Sequence, residues 1–316
     1  MRRLVSTLAA LALVAAAPVA AAASASAHDS GHDSGHDGDH ARSTTVWVRG
    51  DGSHVRLSRW HVDEGTVVFH ESTSNTGPGG SQISLFRLLG KATLNTFKAD
   101  LAHEFSSNPK IAAMGTRELN RDVRATGLAD VQKGYPASVR VNLRPGTYYL
   151  MDLGSFFGPM GPSGAPNPAF TKLVVRDGDD DGWSWSDGSA WDGSGWHPTI
   201  WLTAADRFVG PRRLPAKGSV TFRNIGDSIH VAQFSPVKKG TTDKQIQAYY
   251  DSGSMAPPPF ALNGPTFGLD VLSAGRSATL SYDMPPGTYV LQCFVADAVT
   301  GMPHAIMGMH KVVVLK

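Results

Sequence analysis

The decapeptide MPPGTYVLQC at residues 284–293 has a counterpart in LRPGTYYLMD at residues 143–152. In both, a Pro-Gly turn leads into a short run of Thr, Tyr, Val and Leu, which is typical of a β-strand. Each half also has a β-rich run that begins at a glycine and a closing strand. In the first half these are residues 65–69 and 171–175, and in the second half residues 218–222 and 310–314. Because these landmarks occur twice in the same order, the sequence indicates a tandem duplication.

Strand-like segments dominate both repeats. They are rich in Val, Ile, Phe, Tyr and Thr and are separated by Gly, Pro, Asn and Asp, which favours an all-β sandwich over alternating β and α units. Helical spacing of apolar residues predicts one helix at residues 91–105, and a shorter one is expected at residues 241–250. We therefore expect an all-β fold of two tandem Greek-key sandwiches, each with a short inserted helix, at residues 44–176 and 199–316.

The N-terminus predicts export from the cytoplasm. Residues 1–27 contain two arginines, an apolar run and a tail of small residues, which is the layout of a cleaved signal peptide. Cleavage after Ala25 or after Ala27 fits equally well, and no cysteine lies near for a lipid anchor. The two signal arginines carry the whole formal net charge of +2, so the remaining chain lacks the basicity that binds nucleic acid or anionic lipid. We expect a secreted protein with no nucleic-acid partner and no membrane insertion.

A histidine-rich tail follows the signal, at residues 28–43. His28, His32, His36 and His40 recur among aspartate, glycine and serine, a composition that is expected to be disordered because it cannot bury a core. Such a tail is a candidate weak site for Cu(II), Zn(II) or Ni(II). The alternative is a polar spacer with incidental histidines.

The connection between the predicted domains is acidic, glycine-rich and contains four tryptophans, at residues 177–198. Some of these indoles are expected to pack between the domains. Asp177, Asp179 and Asp181 match the opening of a calcium loop, but Gly188 stands where the closing glutamate belongs. Calcium is therefore not favoured, and a solvated acidic linker is the simpler interpretation.

The only cysteine of the chain lies in QCFVADAVTGMPHAIMGMHK, residues 292–311, with two histidines and three methionines. Exported proteins commonly pair their cysteines, but Cys293 has no partner in its own chain. It is a buried inert thiol, an intermolecular bridge or a metal ligand. His230 lies upstream in a β-rich stretch after an Asn-Ile-Gly turn.

The order of His230, Cys293, His304 and Met309 resembles the cupredoxin (blue copper) family over residues 199–316. In that family one histidine comes from an early strand, and a Cys, a His and usually a Met come from the loop between the last two strands. The resemblance implies one mononuclear copper, with His230, Cys293 and His304 as equatorial ligands and Met309 as the axial ligand. The ten residues between Cys293 and His304 exceed the plastocyanin loop and are closer to the loops of copper nitrite reductases.

These residue types suit a copper ion that exchanges one electron. A thiolate and two imidazoles in a trigonal arrangement, with a weak thioether, are acceptable to both Cu(I) and Cu(II). Met302 and Met307 compete with Met309 for the axial place. The alternative is a sandwich without metal, in which Cys293 is a small buried hydrophobe and the methionines fill the core.

The first half lacks this ligand set. Alignment of the repeats places Gln82 opposite His230 and Asp152 opposite Cys293. Because both halves keep the turns and strands, the asymmetry favours a functional reason for the ligands in the second half.

Two-domain copper oxidases and nitrite reductases are similar in architecture, but they need further histidines, commonly as His-x-His pairs and beside the ligating cysteine. Here Gln292 and Phe294 flank Cys293, and the chain has no His-x-His pair. We therefore expect a copper-binding protein for electron transfer or extracytoplasmic copper handling, not an enzyme, with an unidentified redox or copper-exchange partner. The alternatives are a metal-free extracellular binding or structural module and, less favoured, a two-domain copper oxidoreductase.

Overall fold

The structure is a computed structural model and describes residues 43–77, 79–156, 168–178 and 197–316. In the described part of the first half, the strands are β1 (Thr44–Gly50), β2 (Val55–Leu57), β3 (His61–Asp63), β4 (Gly65–Thr73), β5 (Ser81–Leu88), β6 (Val123–Ala125), β7 (Ala129–Val131), β8 (Ala137–Leu143), β9 (Gly146–Asp152) and β10 (Thr171–Arg176). In the second half they are β11 (Thr199–Thr203), β12 (Arg207–Val209), β13 (Arg213–Leu214), β14 (Lys217–Asn224), β15 (His230–Val237), β16 (Phe267–Leu272), β17 (Ser277–Asp283), β18 (Gly287–Gln292) and β19 (His310–Leu315). The helices are α1 (Leu94–Glu104), α2 (Pro109–Asp122) and α3 (Asp243–Asp251).

The strands form two mixed sheets, and both sheets run through both halves of the chain. One has the order β12-β11-β14-β17-β8-β4-β1-β2, and the other has the order β13-β19-β18-β15-β16-β7-β5-β9-β10-β3, with β6 paired to β5. The halves join where β17 pairs with β8 and β16 pairs with β7, both antiparallel. The expected all-β fold of cupredoxin-like sandwiches is confirmed, and the two sandwiches lie edge to edge.

Alternating burial explains how the sheets enclose a core. Along β8 every second residue is buried, as expected for a strand with one face on the core. Buried side chains from both halves, including Phe69, Tyr148, Phe222 and Phe234, belong to one continuous apolar cluster. The core therefore crosses the boundary between the repeats.

The repeated Pro-Gly-Thr-Tyr motif has the same structural role in each half. The hydroxyl of Tyr148 donates to the carbonyl oxygen of Arg144 at 3.1 Å, and the hydroxyl of Tyr289 donates to that of Pro285 at 2.9 Å. Each tyrosine thus fastens its own turn across four residues, and each ring lies in the core. This shared device supports the duplication inferred from the sequence.

The helices differ from the prediction in one respect. Helices are present at both predicted places, as α1 and α3, and Thr93 and Thr242 cap them. A single helix in the first half is nevertheless wrong, because α2 follows α1 and packs against it. A Cβ built at Gly115 would lie 2.1 Å from the amide nitrogen of Glu104, so glycine permits the close approach of these helices.

Residues 1–42 lie outside the described part of the chain, so the signal peptide and the histidine-rich tail stay predictions. Most of the connection at residues 177–198, including its tryptophans, also lies outside the described ranges. Among the described residues, the helices are too short or too polar to cross a membrane.

Candidate metal centre

Two neighbouring strands and one loop bring the candidate ligands together. His230 is the first residue of β15, and Cys293 directly follows the end of β18. These strands are antiparallel neighbours with Gln233 opposite Gln292, so the start of one lies beside the end of the other. The loop after Cys293 returns to β19 and carries His304. The amide of His304 donates to the carbonyl oxygen of Val295 at 2.9 Å, which closes that loop.

The three donor atoms face one another. The Sγ atom of Cys293 lies 3.7 Å from Nδ1 of His230 and 3.5 Å from Nδ1 of His304. The two imidazole centroids are 4.9 Å apart. Cys293 and His230 are fully buried and His304 is 1% exposed. The arrangement is a closed group of one thiol and two imidazoles.

These separations fit a single metal ion. With a metal–sulfur bond of about 2.3 Å, a metal–nitrogen bond of about 2.0 Å and trigonal angles of about 120°, sulfur and nitrogen would be about 3.7 Å apart. The two sulfur–nitrogen distances in the structure agree with that value. The donor set of two histidines and one cysteine is the one that mononuclear electron-transfer copper sites use.

Met309 is the best placed of the three candidate methionines. It is fully buried, whereas Met302 and Met307 are 38% and 37% exposed. Its amide donates to the carbonyl oxygen of His304 at 2.8 Å, and its own carbonyl oxygen accepts from the amide of Cys293 at 3.2 Å. These bonds tie Met309 to two of the candidate ligands, and its axial role stays a prediction.

Burial keeps the metal-free group neutral. Desolvation raises the pKa of the Cys293 thiol to about 12, although the amide of Val231 donates to its sulfur at 3.5 Å. Desolvation and the neighbouring His304 lower the pKa of His230 to about 3, and desolvation also lowers the pKa of His304. At neutral pH the group is one thiol and two neutral imidazoles, so a bound metal ion would replace the thiol proton.

Sequence reasoning missed Asp206, which lies on the far side of both imidazoles. Its Oδ1 atom is 3.5 Å from Nε2 of His304 and 3.9 Å from Nε2 of His230. Asp206 is the last residue of the turn between β11 and β12 and has a left-handed backbone, with φ of 52°. Arg207 holds this turn against the segment that follows His304 by donating to the carbonyl oxygen of Met307 at 3.2 Å. No motif marks an isolated aspartate in a tight turn, so no feature of the sequence points to it.

A carboxylate in this position matches a general feature of metal-binding histidines, whose second ring nitrogen commonly donates to a carboxylate. Asp206, Asp297 and His304 also form a second group of close donor atoms, and it shares His304 with the first. Burial raises the pKa of Asp206, and the nearby His304 opposes that effect. Nε2 of His230 is buried and has no hydrogen-bond partner.

The corresponding positions of the first half carry a structural network. Ile83 pairs with Asp152 in β5 and β9, and Gln233 pairs with Gln292 in β15 and β18. When Asp152 is aligned with Cys293, this register makes Ser81, and not the expected Gln82, the residue of the first half that is equivalent to His230. Asp152 does occupy the place of Cys293, and its carboxylate accepts from the amides of Gly52 at 2.9 Å and Gly154 at 3.1 Å.

The remaining predicted sites fall largely outside the described ranges. His28, His32, His36 and His40 all do so, as do Asp179 and Asp181. Asp177 is described and is exposed. The weak tail site and the calcium loop are therefore untested.

Comparison with known proteins gives resemblances in fold. No protein-family model matches the chain, and no curated protein matches it. Auracyanin B is 21% identical over 37% of this chain and 86% of its own, with a TM-score of 0.23. Dithionite-reduced auracyanin from the photosynthetic bacterium Roseiflexus castenholzii is 20% identical over 37% and 94%, with the same TM-score of 0.23. Copper nitrite reductase from Nitrosomonas europaea is 10% identical over 87% of this chain and 94% of its own, again at 0.23. At these identities and TM-scores the resemblances do not bear on activity.

Two sheets that run through both halves, together with a His-Cys-His group at the ends of neighbouring strands, are the features that the resemblance to the cupredoxins implied. The chain resembles the cupredoxins in both respects. The candidate centre lies in the second half, as the resemblance implied.

Proposed function

We propose that this protein binds one copper ion through His230, Cys293, His304 and Met309 and uses it to transfer single electrons. The convergence of the Cys293 sulfur and two imidazole Nδ1 atoms, at distances suited to one metal ion, carries the proposal. A thiolate and two imidazoles stabilise both Cu(I) and Cu(II), which is the chemistry that a bound copper would supply here.

Burial argues against a metal-free role for this group. Two imidazoles and a thiol that are buried together and aimed at one point are a poor substitute for apolar packing. A cation bound to the sulfur and the two Nδ1 atoms would compensate for this disadvantage.

Burial of the candidate ligands favours electron transfer over copper delivery. All three equatorial candidates are at most 1% exposed, and the Asp206 turn covers the imidazole edges. Delivery requires incoming ligands from a partner to reach the metal, which this enclosure opposes. An electron needs no such access, and Phe294, next to Cys293 in the chain, is 44% exposed.

The predicted signal peptide gives the proposed setting. We infer that the protein works outside the cytoplasm, with a redox or copper-exchange partner and without nucleic acid. We do not propose substrate turnover. A second, catalytic copper would need ligands of its own, and the second group of donor atoms shares His304 with the proposed copper site. Oxidation of a phenolic substrate or reduction of nitrite by the copper-loaded protein would favour an oxidoreductase instead.

The test uses the chain from residue 28 onward, loaded with Cu(II) and examined by visible absorption and EPR spectroscopy. A strong thiolate-to-copper charge-transfer band is expected at one equivalent, and Cys293→Ser and His304→Gln should abolish it. His310→Gln is the matched control, since His310 bonds to Gln247 at 2.9 Å and belongs to no metal group among the described residues. A tetragonal Cu(II) signal alone, lost when residues 28–40 are deleted, would show that only the tail binds copper.

A further inference from the structure

The long loop between Cys293 and His304 belongs to the second half but is held in place by residues of the first half. We call residues 294–303 the ligand loop. Helices α1 and α2 of the first half lie against this loop and against the turn that precedes His230. The contacts are specific hydrogen bonds, and they involve residues close to two candidate ligands.

Ala296 of the ligand loop has both of its backbone groups bound by the first half. Its amide donates to Oε1 of Glu104 at 3.1 Å, and its carbonyl oxygen accepts from the hydroxyl of Thr116 at 2.8 Å. Glu104 and Thr116 are both buried. Arg117 adds a hydrogen bond to the carbonyl oxygen of Ala298. Side chains of α1 and α2 therefore take the place of a neighbouring strand along one edge of this segment, whose other edge pairs with Pro303.

Asn120 makes the second set of contacts, one helical turn beyond Thr116 on the same face of α2. Its Oδ1 atom accepts from the amide of Ile229 at 2.9 Å, and its Nδ2 atom donates to the hydroxyl of Ser228 at 3.0 Å. Ile229 immediately precedes His230. One helix face thus contacts the chain beside His230 and the loop that begins after Cys293.

The N-terminus of α2 completes the contact. Gly301 has a left-handed backbone with φ of 70°, and a Cβ at this position would lie 1.9 Å from the carbonyl oxygen of Pro109. The ligand loop and the helix end therefore approach too closely for any residue larger than glycine. Contacts extend along α2 from Pro109 to Asn120.

We propose that the α1–α2 hairpin holds the ligand geometry of the second half, with Glu104, Thr116 and Asn120 as positioning residues. A ten-residue loop has many conformations available, and a site held within a fraction of an ångström needs supporting contacts. The first half, which lacks the candidate copper ligands, supplies those contacts. The link to copper rests on the proposed function, but the bracing of the loop is independent of it.

The test measures how often the ligand loop opens in the metal-free chain from residue 28 onward. Cys293 is fully buried, so a thiol reagent such as dithiobis-nitrobenzoate reacts with it only after local opening. Thr116→Val and Asn120→Leu each remove hydrogen bonds to the loop or to the turn, and each should raise the modification rate about tenfold. Asn120→Asp retains the acceptor for Ile229 and should restore most of the protection.

Thr126→Val is the matched control. Thr126 is also a buried threonine, and its hydroxyl donates to the carbonyl oxygen of Leu85 at 3.2 Å, within the first half. This variant should lose global stability without a selective rise in Cys293 reactivity under native conditions. Amide hydrogen exchange at Ala296 gives a second readout for any variant that folds poorly.

The outcomes separate the two proposals. Modification rates within twofold of the wild type in both Thr116→Val and Asn120→Leu would overturn the bracing role, as would an equal rise in Thr126→Val. If the wild type binds no copper but the rates rise as expected, the proposed function fails and the bracing stands. If copper binds and the rates do not change, the proposed function stands and the bracing role fails.

Discussion

The Oδ1 atom of Asp206 lies 3.5 Å from Nε2 of His304, on the side of the ring opposite the Nδ1 atom that faces Cys293. The two ring nitrogens of His304 therefore have different surroundings: Nδ1 is available for a metal ion, and Nε2 lies beside a carboxylate. A carboxylate at the second nitrogen fixes the tautomer and raises the basicity of the first nitrogen. We therefore infer that Asp206 supports the proposed copper centre without being a ligand of the same ion.

Replacement of Asp206 by asparagine should weaken copper binding. Asparagine tolerates the left-handed backbone at this position, so the change removes the charge with little strain. The loss of an outer carboxylate typically costs about 10- to 100-fold in metal affinity. A competition titration against a copper chelator measures this loss.

Asp227→Asn is the control for Asp206→Asn, because Asp227 is exposed and acts on His304 only through its charge at a distance. It should change the affinity by less than about threefold, as expected for a screened surface charge. Equal losses in both variants would show that the general negative field, and not the contact with His304, supports copper binding.

The sequence was sufficient for the features that depend on local chemistry. The Pro-Gly-Thr-Tyr turns are visible because a tyrosine that fastens its own turn needs that motif and nothing distant. The thiol, the two histidines and Met309 were identified by residue type and order, and the structure brings the first three together. The axial role of Met309 is supported by burial but stays a prediction.

Features that depend on contacts between distant segments were not predictable. Helix α2 was missed because its buried face consists largely of small residues, such as Ala112, Ala113 and Gly115, so no stripe of large apolar side chains marks it. Asp206 has no motif, and its role arises from the approach of the β11–β12 turn to two rings. The one-residue shift from Gln82 to Ser81 arose because alignment by landmarks cannot fix a β-register.

Gly301→Ala should destabilise the protein more than Gly275→Ala. Both glycines have φ of 70°, so both substitutions carry the left-handed penalty of about 1–2 kcal/mol. Only the Gly301 variant places a Cβ against Pro109, which should add about 1–3 kcal/mol, whereas the Cβ at Gly275 meets nothing within 4 Å. Urea unfolding of the metal-free chain measures both losses, and equal losses would contradict the close contact of the ligand loop with α2.

Met309→Leu should leave copper bound and raise the reduction potential of the centre. Leucine conserves the volume, so the packing cost is below about 1.5 kcal/mol. Loss of a weak thioether donor disfavours Cu(II) more than Cu(I), and a tenfold change in that preference corresponds to about 59 mV for a one-electron couple. Redox titration followed by the charge-transfer band measures the shift. Met302→Leu and Met307→Leu are the controls, and a shift in either of them instead would assign the axial place to that residue.

The contribution of Glu71 to the stability of the metal-free protein should fall as the pH rises from 5 to 8. Desolvation raises the pKa of Glu71 well above its ordinary value of 4.5, despite the hydrogen bond from the amide of Ala129, and Asp130 and Asp270 raise it further. In this range the folded protein keeps a proton that the unfolded chain has released. The contribution of this group to stability is therefore full below about pH 4.5 and is lost as the pH rises towards the folded pKa, with a limiting slope of about 1.4 kcal/mol per pH unit for one proton.

Glu71→Gln removes the titrating proton and keeps an oxygen to accept from Ala129. The variant should show a flatter dependence of unfolding free energy on pH and should gain stability relative to the wild type between pH 5 and pH 8, as measured by urea unfolding at each pH. Asp283→Asn is the control, since Asp283 is exposed and pairs with the exposed Lys217 at 2.9 Å. That substitution should shift the curve by less than about 1 kcal/mol and leave its slope unchanged. Parallel curves for Glu71→Gln and the wild type would mean that Glu71 is ionised in the folded protein. Any fall in stability would then belong to the other acids whose pKa burial raises, such as Asp130, Asp270 and Glu104.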